Sequence, residues 1–97
     1  SKKMKTLMIV CGTGIATSTI ATGKIKSWLD KDGFANQVTM YQSKISDVIN
    51  SIDDYDAVVS TTIVPENIKN KVINGVPLLT GIGVDQVYKE IKDKLAL

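Results

Sequence analysis

The chain has 97 residues, 43% hydrophobic and 23% charged, with a formal net charge of +2. That suffices for one modest core and excludes a disordered or low-complexity chain. The longest purely apolar run, Leu7 to Cys11, covers five residues, too few for a bilayer span of roughly 20 or for a secretory signal, so a cytoplasmic protein is expected.

In chain order, Leu7-Met8-Ile9-Val10 reads as a strand buried on both faces, ending at a glycine loop. Ser18 to Lys31 follows as a helix, with Ala21, Ile25, Trp28 and Leu29 at spacings of three and four. After the Asp32-Gly33 turn, Gln37 to Tyr41 alternates like a half-covered edge strand, with Val38 and Met40 on one face. Ile45, Val48, Ile49 and Ile52 predict a short amphipathic helix. Ala57-Val58-Val59 is a second buried strand behind the acidic turn Asp53-Asp54-Tyr55-Asp56. Pro65 to Val72 has room for a short helix, and Asn74-Gly75 reads as a turn. Val76 to Thr80 reads as a last strand, at an edge because of Pro77. Val84, Val87, Tyr88, Ile91 and Leu95 stripe a terminal helix, with Lys89, Lys92 and Lys94 toward its C-terminal dipole end.

Strand and helix alternate throughout, which predicts a single α/β domain over residues 1–97. Its four strands form an open parallel sheet in the order 2-1-3-4, with helices on both faces in a Rossmann-like arrangement. Ligand sites in such sheets lie at the carboxyl ends of the strands. There the sequence places Cys11, Gly12, Thr13, Gly14, Ile15, Ala16, Thr17 and Ser18. Glycines let successive amides turn inward as an anion cradle, and the following helix adds its positive dipole end. A cysteine at the mouth of that cradle is favoured as thiolate at neutral pH. Ser18 is placed to cap the helix or to donate a hydroxyl hydrogen bond to the sulfur.

Absences narrow the chemistry. There is no histidine and no arginine, and only one cysteine. Serine–histidine and cysteine–histidine dyads, zinc sites, intramolecular disulfides and arginine clamps are therefore out. The lysines form no basic block and aromatics make up 5% of the chain, which argues against nucleic-acid binding. No metal or cofactor is expected. The loop lacks the third glycine of a dinucleotide site and the Gly-Lys-Ser/Thr of a Walker loop. Asp53, Asp54 and Asp56 precede the third strand, and a solvated turn at the far edge of the sheet explains them. Trp28, at helical spacing, is assigned to the core or its margin. Three readings of Cys11 remain on the residues alone: a phosphoryl acceptor, a hydrolase nucleophile, or a small core residue of a binding module.

The spacing of Cys11 and Ser18 resembles the phosphate loop of low-molecular-weight tyrosine phosphatases. That family, like arsenate reductases of related design, supplies the hydrolase alternative, but it requires an arginine where this chain has Thr17. The run Ile9-Val10-Cys11-Gly12-Thr13-Gly14-Ile15-Ala16-Thr17-Ser18 more closely resembles the active-site segment of galactitol-type enzyme IIB components of the bacterial sugar phosphotransferase system (PTS). The similarity continues through Thr61-Thr62 and Val76 to Gly83. It implies that Cys11 accepts a phosphoryl group from phosphohistidine of an enzyme IIA. Cys11 then passes it to a sugar or alditol, with galactitol favoured, held by the membrane transporter IIC. Residues 12–18 would cradle the phosphate. The resemblance further implies a phosphotransferase that is monomeric on its own and meets the membrane only through IIC. Ile15, Ile63, Val64 and Ile82 are candidates for the rim those partners touch.

Overall fold

The computed structural model describes residues 4–11 and 15–97; of residues 15–18 it describes the backbone alone. The chain runs β1 (Lys5–Cys11), α1 (Ile15–Lys31), β2 (Val38–Lys44), α2 (Ile45–Val48), β3 (Ala57–Ser60), β4 (Ile73–Asn74), α3 (Val76–Thr80) and α4 (Val84–Leu95), with short 3-10 turns between. The four strands form one sheet in the order β2-β1-β3-β4, and every pairing is parallel.

β1 is central because its residues are apolar on both sides of the pleat. Alternation sends Leu7 and Ile9 to one face, where they meet Ala21, Ile25 and Leu29 of α1 and Val87, Ile91 and Leu95 of α4. It sends Met8 and Val10 to the other, against Val48, Ile52 and Ile68. Each face thus buries its own cluster, and the helix stripes read from the sequence are the ones that cover it. At the amino edge, Asp56 and Thr6 clamp β3 to β1. The Thr6 amide donates to Asp56 Oδ2 at 2.8 Å, and the Asp56 amide donates to Thr6 Oγ1 at 3.0 Å.

Four expectations need correction. α1 begins at Ile15 rather than Ser18, so Ile15–Ser18 form its first turn and Ser18 is too far into the helix to be its cap. Val76 to Thr80 is a helix, not a strand; the fourth strand is Ile73–Asn74, where a turn was expected. Pro77 agrees with this, since a residue without an amide proton and with fixed φ suits the first turn of a helix. The helix expected over 45–52 stops at Val48 and resumes as a 3-10 turn from Ile52. Its apolar face survives the break, because Val48 and Ile52 remain buried together. The 65–72 segment holds only a 3-10 turn, Lys69–Lys71.

Candidate functional site

Cys11 is the last residue of the central strand, and α1 opens four residues later. A helix leaves its first four amides without intrahelical partners; Ile15, Ala16 and Thr17 supply three of them here, at the positive end of a 17-residue helix. Gly12, Thr13 and Gly14 lie outside the described residues, as do the side chains of Ile15, Ala16, Thr17 and Ser18. What the fold supplies on either side of that stretch is a cysteine at a carboxyl strand end and a helix N-terminus.

Neighbouring strand ends build the surroundings. Parallel register sets Val10 beside Ser43 of β2 and beside Ser60 of β3. The Cys11 thiol donates to the Ser43 carbonyl at 3.8 Å, and only 3% of the residue is exposed. On the other flank the Thr61 amide donates to the Val10 carbonyl at 3.2 Å, extending the β1–β3 ladder past the end of β3. Ser60, 2% exposed, satisfies itself locally: its hydroxyl donates to the Thr62 carbonyl at 2.8 Å and accepts from the Thr62 amide at 3.1 Å. That tight turn fixes the course of the chain beside Cys11. Beyond it, a cavity of about 480 Å³ opens, lined by Thr61, Thr62, Ile63, Val64, Asn74 and Val76 among others.

Of the proposed rim, Ile63 and Ile82 stand 94% and 80% exposed, while Val64 packs against the α2-side core. Sequence reasoning missed Ser60 and the Ser43 carbonyl. A lone serine in an apolar strand was the available signal for the first; a backbone acceptor leaves none. The acidic turn is at the opposite edge: Asp56 sits beside Thr6, five strand residues or about 16 Å from Cys11. Asp53 pairs with Lys71 there at 3.0 Å. Trp28 stacks on Tyr88, ring centroids 4.6 Å apart and planes 6° from parallel, at the margin of the core. Burial pushes the Tyr88 hydroxyl above the usual tyrosine range, and the Asp85 carboxylate adds to the rise. Among the described residues no group of His, Cys, Asp and Glu is arranged to hold a metal ion, and no helix is long and apolar enough to cross a membrane.

Comparison with known proteins assigns this all-parallel open sheet, with its single cysteine at the carboxyl end of the central strand, to a family. The chain belongs to the PTS IIB family: the model described as "PTS system, Lactose/Cellobiose specific IIB subunit" matches residues 6–96. It is also similar to the "Putative phosphotransferase enzyme IIB component SgcB" of Escherichia coli (strain K12), 29% identical over 89 residues, covering 92% of this chain and 95% of the relative. The chain is therefore a IIB component of a sugar phosphotransferase system, and IIB components work with IIA and IIC partners.

Proposed function

We propose that the chain acts as one phosphocarrier domain in which Cys11 is the covalent site. The Cys11 thiolate attacks the phosphorus of a phosphohistidine on IIA; the N–P bond breaks as the S–P bond forms. A sugar hydroxyl held by IIC then attacks the same phosphorus and gives up its proton to solvent, the S–P bond breaks, and the thiolate returns. The observation that carries this reading is Cys11 at the carboxyl end of β1, four residues ahead of the first residue of α1, in a chain of the IIB family. The amides of residues 12–18 are assigned to the phosphoryl oxygens.

The burial of Cys11 is also what the core-residue reading expects. For a carrier it means that the sulfur is reached only when a partner engages the carboxyl edge, where Ile63 and Ile82 offer apolar contact. Galactitol is assigned as the cargo on the likeness of Ala16-Thr17-Ser18 to the galactitol branch, with the chain in the cytoplasm and meeting the membrane through IIC. Two measurements test the proposal. Incubation with phosphorylated IIA should add one phosphoryl group, mapped by mass spectrometry to Cys11 and missing in Cys11→Ser. Transfer assays with membranes carrying the cognate IIC should consume galactitol in preference to lactose or cellobiose. Steady hydrolysis of aryl phosphates by the chain alone would favour the phosphatase-like alternative.

A further inference from the structure

A large concavity lies away from Cys11. A groove of about 940 Å³ runs between α1 and α4, on the outer side of the helices that cover the sheet. Ile20, Lys24, Ser27 and Lys31 form one wall, and Asp85, Lys89 and Lys92 belong to the other. The Trp28–Tyr88 stack joins the two helices. Four lysines against two aspartates make the lining basic. Lys92 rests over the Phe34 ring at 5.5 Å, but Lys24, Lys31 and Lys89 form no ion pair among the described residues.

Gly23 supplies a second, independent observation. It lies in the middle of α1, is exposed, and lines the groove. A Cβ built on it would meet nothing within 4 Å. Glycine inside a helix costs stability relative to alanine, and no neighbour within the chain demands it here. Its effect is to leave a bare floor beside the half-exposed Ile20, where another backbone can approach closely.

We propose that this groove docks an acidic helix of a partner protein, its carboxylates meeting Lys24 and Lys31 while a small or apolar seam crosses Gly23. Each wall repeats at helical spacing, and a channel between two neighbouring helices accepts a third by ridge-into-groove packing. From Ile20 to Lys31 the wall is about 16 Å long, three turns of a partner helix. Lys24 and Lys31 are about 10 Å apart along the axis, too far to share one phosphate but matched to carboxylates a heptad apart. A bilayer would favour a convex face studded with apolar side chains, whereas this surface is recessed. The groove starts one turn into α1 and leads to the Asp32-Gly33 turn, away from the Cys11 edge. A partner seated there leaves Cys11 open to exchange, so the inference does not rest on the phosphocysteine reading.

Trp28 is the only tryptophan, so its fluorescence reports on this groove alone. The probes are two acidic peptides of equal composition, one with glutamates on a heptad-spaced helical face and one scrambled. The helical peptide should saturate with a dissociation constant below about 1 mM and shift the amides of Ile20, Gly23, Ser27 and Lys89. The scrambled peptide and the variant Lys24→Glu/Lys31→Glu should each bind at least about tenfold more weakly. Cys11→Ser should bind as the parent does, even should it prove still able to accept a phosphoryl group. Gly23→Ala should raise the melting temperature, and Gly23→Gln, folded by its amide spectrum, should weaken binding. The proposal fails if neither peptide saturates, if both bind alike, or if Gly23→Ala lowers the melting temperature. It fails equally if anionic phospholipid vesicles, but not the helical peptide, bind with dependence on Lys24 and Lys31.

Discussion

Gly75 occupies the step between β4 and α3, where its amide donates to the Ser60 carbonyl at 2.7 Å. A Cβ there would stand 2.6 Å from Val59 Cγ1 and 3.1 Å from the Ser60 oxygen, so something in the β3 end must move. Gly75→Ala should therefore lower stability by about 1–3 kcal/mol, measured by urea denaturation, and should disturb amide resonances from Ser60 to Thr62. Thr17 bears on chemistry instead. A carrier must hold its phosphoryl group without activating water, and the chain has neither the arginine that gathers metaphosphate-like charge nor a histidine to prepare water. One such preorganised partner is worth ~10²–10³ in rate. Thr17→Arg, if folded, should shorten the lifetime of phosphorylated protein in buffer; an unchanged lifetime would show that the missing arginine is not what protects it. The position of Cys11 was legible in the sequence because an apolar run that stops at Cys-Gly before a helical stripe reads as the carboxyl end of a strand. Ser60 was not, because its partners are backbone atoms two residues on.

Among the elements, α4 is the most completely encoded. Its buried stripe, an acidic first turn and a basic last turn agree with one another. Its end carries a local cost: Ala96 adopts φ +57, while the Leu97 amide reaches back to the Lys92 carbonyl at 3.1 Å. Closing a helix through a left-handed residue normally calls on glycine, as Gly33 does after α1. Ala96→Gly should stabilise the fold by about 1 kcal/mol, read as a higher denaturation midpoint. The α1–α4 contact makes an alkaline prediction. Tyr88 is raised in the folded state, so the stability held by its neutral form is fully present below the ordinary tyrosine value near 10. It is lost as pH rises through the higher folded value. Between pH 8 and 11 the denaturation midpoint of Tyr88→Phe should fall less than that of the parent; equal falls would contradict the assignment. β4 and α3 were misplaced because two short apolar stretches compete for one strand. Periodicity cannot separate Val72-Ile73 from Val76 to Leu79, and the tertiary seat of Gly75 against β3 makes the choice.

For the molecule as a whole, the strand order followed from alternation and right-handed crossovers, although the fourth strand proved to be another segment. Each stretch of chain between strands is long enough for a crossover, and β1, buried on both faces, had to be central. That placement alone brings Cys11 to the carboxyl edge, flanked by β2 and β3, and holds Asp53 and Asp56 at the other end of the sheet. The exposed Ile63 and Ile82 lie outside both core clusters, which leaves them available to a partner. If IIA docks there, its addition should move amide resonances in residues 61–64 and 81–83; changes centred on Asp53 to Asp56 would put docking at the wrong edge. The covalent step admits the most direct test: the intact chain is mixed with phosphorylated IIA, quenched, digested and analysed by mass spectrometry. A single phosphoryl group on Cys11 is expected, and it should disappear when sugar and IIC are supplied. A phosphoryl group on any other residue, or none on Cys11 while IIA loses its own to sugar in the presence of this chain, would contradict it.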